Sequence, residues 1–136
     1  MTTAREKPTT TGQALSITTF VAVAEAAGAD AEPPAVGPSS AAVVLVGRLD
    51  AVEAPAVRAE LDRVLRAGGS RLVVDLVAVT FVDSAGLAAL VRARRDARQL
   101  GGDIVLISPS DRDTLRVFGL TQFDEVFRMV DSRAAA

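Results

Sequence analysis

Cysteine and histidine are both missing from this chain of 136 residues. The first absence removes disulfides and thiol catalysis, and it fits a reducing compartment. The second removes a serine–histidine–aspartate triad and any histidine-based metal site. Tryptophan and tyrosine are missing as well, so aromatic content is 4% against 49% apolar residues overall. A core must therefore come from valine, leucine, isoleucine and alanine. Charge of one sign is not in surplus either: the formal net charge is −2 and the cations are nearly all arginine. Nothing in that balance suggests direct nucleic-acid binding. No segment approaches the length of a membrane span, so no membrane association is expected and the chain is read as soluble and cytoplasmic. The length suits one domain with a real core.

Residues 1–13 (MTTAREKPTTTGQ) are polar, threonine-rich and contain Pro8, which predicts a disordered leader before a domain over 14–131. The apolar run at 14–27 follows Arg5 and Lys7, as a secretory signal would. Ser16, Thr18 and Thr19 interrupt it, however, and Leu15, Ile17, Thr19, Val21 and Val23 alternate as in a strand. That strand is expected to pair antiparallel with a second at about 42–46. Between them, residues 28–40 (GADAEPPAVGPSS) form a segment too long for a tight hairpin and read as a flexible insertion. Residues 132–136 read as a disordered tail.

Strand and helix signals then alternate. A helix is expected over 55–67, with Pro55 in its first turn and Val57, Leu61, Val64 and Leu65 on one face. Glu53 is a poor cap for it, so Asp50 or a water is expected to serve that end. Gly68 and Gly69 stop it. The runs RLVVD (71–75) and AVTFV (78–82) read as strand buried on both faces. From Leu87 the apolar period becomes helical, giving a helix over 85–100 with Gly86, Leu90, Ala93, Ala97 and Leu100 facing the sheet. A further unit comprises a strand at 103–107, then a helix with Ser108 as cap, Pro109 in its first turn and Asp111 completing a capping-box-like start. Leu115, Val117 and Phe118 should pack inward, Gly119 should end the helix, and 126–130 should be a final strand. Asp111 and Asp113 are helix-start acids rather than a metal pair. The fold class is α/β: a mixed sheet with an N-terminal antiparallel hairpin and helices mainly on one face.

Ser84 sits where strand becomes helix. One reading makes it an N-cap whose oxygen accepts from an orphan N–H of the first turn. The other makes it a phosphorylation site, because a helix N-terminus favours negative charge. Spacing alone leaves both open. So does Asp50, either a turn cap or an acid beside the serine. Asp83 is the serine's immediate neighbour. Off the buried stripe, Leu87, Val91, Arg94, Arg95 and Arg98 form an apolar patch leading into a basic one.

The order GRLD (47–50), a helix containing Pro55, LVVDL (72–76) and FVDSAGL (81–87) resembles the STAS domain family. It is most similar to bacterial anti-sigma factor antagonists, whose D-S-x-G-[LIV] motif carries a phosphorylated serine. The similarity continues through Gly101 and Gly102, Ser108-Pro109 and FGLTQFDEVF (118–127). By that resemblance Ser84 is the phosphorylated residue and Asp50, Asp83 and Gly86 are its neighbours in the switch. Leu87, Val91, Arg94 and Arg95 fall where an anti-sigma factor docks. The implied partners are an anti-sigma factor serine kinase and a PP2C-like phosphatase, with no cofactor. The chain is then a substrate of enzymes and not itself an enzyme. A STAS scaffold or adaptor in a stress-signalling or lipid-transport complex is the alternative. A nucleotide or serine hydrolase lacks its G-x-x-x-x-G-K-[ST], histidine base and nucleophile elbow.

Overall fold

The apolar alternation of the strands becomes one sheet in the computed structural model, which describes the backbone of residues 2–11, 15–24, 40–69 and 71–131, and side chains over 15–20, 40–69 and 71–131. The described elements run β1 (Thr2–Thr11), β2 (Leu15–Ala24), β3 (Ser40–Leu49), α1 (Ala54–Arg66), β4 (Arg71–Val82), α2 (Ser84–Gln99), β5 (Asp103–Ile107), α3 (Arg112–Leu120), α4 (Phe123–Val126) and β6 (Arg128–Val130). Strand order is β1-β2-β3-β4-β5-β6. The first two pairings are antiparallel, and β3–β4, β4–β5 and β5–β6 are parallel. Helical crossovers join the parallel neighbours, as parallel pairing requires. This is the mixed α/β sheet expected from the sequence.

One face of the sheet is sealed. Ile17, Val43, Leu45, Leu72, Val74, Leu76, Ile104 and Leu106 meet Val57, Leu61, Val64 and Leu65 of α1, Leu87, Leu90, Ala93 and Ala97 of α2, and Phe118 of α3 in a single cluster. The alternate residues Ser16, Thr18, Ala42, Val44, Val73, Asp75 and Val105 are only half-buried. The expectation that β4 is buried on both faces is therefore corrected: the helices gather on one side, and the other keeps partial access to solvent.

Two irregularities lengthen β4 relative to β3. The register passes from Val44↔Asp75 to Val46↔Ala78, and from Gly47↔Val79 to Arg48↔Phe81, so β4 carries one extra residue at each place. Such bulges leave backbone groups unpaired in the ladder. At the first, Val77 N–H donates to Asp75 Oδ1 at 3.0 Å, and Val77 carbonyl accepts from Ser110 Oγ at 2.7 Å and Ser110 N–H at 3.1 Å. At the second, Thr80 Oγ1 donates to the Gly47 carbonyl. The Ser110 bonds tie the approach to α3 to the strand that leads into the serine.

Other expectations are corrected in detail. Within the leader expected over 1–13, Thr2–Thr11 is a strand that pairs residue for residue with β2, and its Pro8 lies on an edge strand, where a missing N–H is tolerated. Leu100 falls past the end of α2 and is 56% exposed. In α3 the cap is Asp111, which accepts from Thr114 N–H at 2.9 Å and Thr114 Oγ1 at 2.8 Å, not Ser108. Those two bonds, the hydroxyl first, hold the Asp111 carboxyl below the usual carboxylate range. With the register of α3 set this way, Phe118 and Thr114 face inward, while Leu115 is 43% exposed. The helix continues past Gly119 to Leu120, and the final strand is only Arg128–Val130 because Phe123–Val126 is helical. Residues 28–39 of the expected insertion, and the tail 132–136, lie outside the described residues.

Candidate functional site

The geometry around Ser84 follows from how β4 hands over to α2. Val82 is the last buried residue of the strand, and Asp83 then adopts an extended backbone with φ −118° and ψ −174°. That conformation aims its carboxylate along the new helix, where Oδ1 accepts from Gly86 N–H at 3.0 Å. Asp83 is therefore the N-cap. Ser84 is the first helical residue, and the cap reading of its hydroxyl is corrected. Its side chain is exposed and makes no hydrogen bond to any described residue.

The second oxygen of Asp83 works elsewhere. Oδ2 accepts from Ala51 N–H at 3.0 Å, in the turn between β3 and α1. One carboxylate thus ties the start of α2 to the loop that holds Asp50. Asp50 in turn accepts from Val52 N–H and Glu53 N–H through Oδ1, both at 3.1 Å, while its Oδ2 lies 3.6 Å from Arg48 Nε. Asp50 thereby closes the turn into α1, whose Glu53 makes no side-chain cap bond. The turn-cap reading of Asp50 applies, and its loop is the one that Asp83 fastens to the start of α2.

Gly86 is where the helix meets the strand ends most tightly. A Cβ there would lie 2.4 Å from the Leu49 carbonyl oxygen, 2.7 Å from Leu49 Cγ and 3.1 Å from Val82 Cγ2. Only glycine lets α2 start so close to β3. The pattern D-S-x-G therefore has a local explanation: a cap, an exposed hydroxyl one residue on, and a helix turn pressed against the sheet.

With this motif and its sheet order in place, the comparison with known proteins is decisive. Residues 33–136 match the STAS domain family. The chain belongs to the STAS domain family. Its relatives include the anti-sigma-B factor antagonist of Listeria monocytogenes, 32% identical over 87 residues, which are 64% of this chain and 75% of that protein. The crystal structure of an anti-sigma factor antagonist from Mycobacterium paratuberculosis matches with a TM-score of 0.63 and 25% identity, over 88% of this chain and 89% of that one. The anti-sigma factor antagonist SpoIIAA in its unphosphorylated form shares the fold at a TM-score of 0.57 and 20% identity, over 74% and 86% of the two chains.

Beside the serine, this STAS domain has an open, mainly apolar groove. Ala51, Ala54, Pro55 and Arg58 line it from the α1 side, and Ser84, Ala88, Val91, Arg92 and Arg95 from α2. Thr121 and Phe123 close its end. Gln122, with a left-handed φ of 61°, turns the chain there, and the Phe127 ring lies 6.2 Å from that of Phe123, tilted by 42°. The residues expected to form the docking patch divide. Val91 is 37% exposed and Arg95 is exposed, and both face the groove. Leu87 is 4% exposed and belongs to the core, so it supplies only the floor; the expectation of partial exposure is corrected. Leu87 directly follows Gly86, where the close approach of α2 to β3 draws it inward. Arg94 points away, 3.8 Å from Asp103 on β5, and is not part of the groove.

Sequence reasoning missed Arg58 and Arg92, since only the packing of α1 against α2 brings them to one groove. It also missed a buried polar link between β2 and α1. Thr19 is fully buried, and its Oγ1 donates to Glu60 Oε2 at 2.5 Å. Arg63 donates to both oxygens of Glu60 at 2.9 and 2.6 Å, a pairing that raises the Arg63 pKa. Thr19 was legible as an interruption of an apolar run and as part of the alternating strand stripe, not as a hydrogen-bond donor.

Proposed function

We propose that this STAS domain is an anti-sigma factor antagonist, a binding module whose affinity for an anti-sigma factor is switched by phosphorylation of Ser84. The observation that carries the reading is the division of labour in the motif. Asp83 does the capping, which leaves the Ser84 hydroxyl exposed and free of structural duty beside an apolar groove. The names of its relatives point the same way.

In this mechanism the unphosphorylated protein holds the anti-sigma factor and so releases a sigma factor. The partner's kinase activity then moves the γ-phosphoryl of ATP onto Ser84 Oγ, ADP leaves, and the hydroxyl proton passes to a base of the partner. Phosphoserine adds about 1.5 to 2 negative charges near neutral pH. They arrive beside the Asp83 carboxylate, so negative charge enters the docking face without refolding. A PP2C-like phosphatase restores it by hydrolysis. The chain acts as a substrate and not as a catalyst.

The test is intact-mass analysis after incubation with ATP and each candidate anti-sigma factor kinase. Wild type should gain one phosphate, Ser84→Ala none, and Ser84→Asp should lose affinity for the kinase that Ser84→Ala retains. Equal affinities for all three proteins, with no phosphate gained from any candidate, would rule out the switch and favour a scaffold role.

A further inference from the structure

Two guanidinium groups face the groove without an acid of their own. Arg58 on α1 and Arg92 on α2 line both the groove beside Ser84 and the adjoining cleft between the two helices. The acids along that cleft are already engaged. Asp62 pairs with Arg66 at 3.0 Å, and Asp96 with Arg95 at 3.4 Å. Among the described residues neither Arg58 nor Arg92 makes an ion pair. Both are exposed.

Between these cations and Ser84 the surface is apolar, formed by Ala54, Ala88, Val91 and Phe123. A rim of unmatched arginine beside an apolar floor complements one kind of partner surface. We infer that the groove receives an acidic amphipathic segment of the partner protein, whose carboxylates meet Arg58 and Arg92 while an apolar side chain settles against Val91 and Phe123. Arginine suits this task because its planar fork can take a carboxylate with two parallel bonds. This rests on the reading that the chain docks an anti-sigma factor, and adds the chemistry which that partner presents.

The placement also gives the switch its direction. Ser84 lines the same groove, so a phosphate there adds like charge to the face that the partner's carboxylates approach. Release then follows from charge at the binding face, with no change of fold.

Calorimetric titration of the full chain with two short amphipathic helical peptides tests this, one of leucine and glutamate, the other its leucine–lysine counterpart. The glutamate peptide should bind and the lysine peptide should not, with affinity falling as salt is raised. In the Arg58→Glu, Arg92→Glu double variant, affinity for the glutamate peptide should drop about tenfold or more. The Arg58→Gln, Arg92→Gln variant gives a smaller drop and stands in if charge reversal disturbs folding. Amide shift changes should centre on Ser84, Ala88 and Val91. Equal binding of the two peptides, no binding of either, or an unchanged affinity in both double variants would overturn the proposal. Phosphorylation of Ser84 by an anti-sigma factor kinase together with such a result would sink this surface and leave the antagonist reading standing. Selective glutamate-peptide binding with Ser84 refractory to every kinase would do the reverse.

Discussion

Replacing Gly86 by alanine sets two opposing effects against each other at one position. Alanine is the better helix former by about 1 kcal/mol, which taken alone would stabilise α2. Against this, the new methyl would lie 2.4 Å from the Leu49 carbonyl oxygen, which belongs to backbone and cannot rotate aside. That gap must open to at least 3.0 Å, so the first turn of α2 has to lift from β3. Overpacking costs about 1–3 kcal/mol, and a contact this short with fixed backbone falls in the upper half of that range, about 2–3 kcal/mol. The clash is expected to win, with net destabilisation of about 1–2 kcal/mol and a Tm lower by roughly 3–8 °C. Gly119→Ala is the internal control, since its Cβ would meet only Asp124 Oδ2 at 3.8 Å. There the helix preference acts unopposed and should add about 0.5–1 kcal/mol. Urea unfolding of both variants reads the two signs directly. A Gly86→Ala protein as stable as wild type would refute the close-approach argument, as would changes of the same sign at both glycines.

The remaining predictions concern the same face and the third helix. Ser84→Ala should alter stability by no more than about 0.5 kcal/mol, because the hydroxyl is exposed and not a cap. Asp83→Ala should cost about 1–2 kcal/mol, since it strands the N–H groups of Gly86 and Ala51; thermal melts of the pair reveal which residue caps. Leu87→Ala should lose about 2–5 kcal/mol as a core truncation, whereas Val91→Asp should leave the urea midpoint nearly unchanged and weaken partner binding. Asp111, whose carboxyl is held low by Thr114, contributes stability that is fully present above the ordinary aspartate range and is lost as pH falls through its lowered value. The stability gap between wild type and Asp111→Ala should thus be widest near neutral pH and should narrow in acid, as a series of denaturation curves would record.

Much of this fold is written in short-range pattern. The alternation in β2, the apolar faces of α1 and α2 and the glycines that follow those two helices are local signals, and each led to the right element. The motif at residues 83–86 was legible as a site. Its internal roles were not, because serine and aspartate are both good caps and adjacent, and only the extended backbone of Asp83 decides between them. Exposure was the weaker inference. Whether Leu87 or Val91 faces solvent depends on how far α2 sinks against β3, a distance fixed by Gly86 and Leu49 from separate parts of the chain. Arg58 and Arg92 share a groove only because α1 and α2 pack side by side, which no period within either helix encodes. The strand over Thr2–Thr11 was hidden for a related reason. Its polar threonines carry no burial signal, and its pairing is read from β2 rather than from itself.

The two extra residues in β4 impose a rule of parity on the chain. Side chains along a strand alternate, so losing one of those residues would exchange inside for outside from that point on, and Val82 would turn away from the core. Losing both would restore the facing but shorten the strand's reach by two residues, roughly 7 Å. Asp83 would then fall short of Ala51, and the serine would retreat from the rim of the domain. Length changes upstream of the motif are therefore not interchangeable with changes in the loops: an odd one inverts the site, and an even one withdraws it.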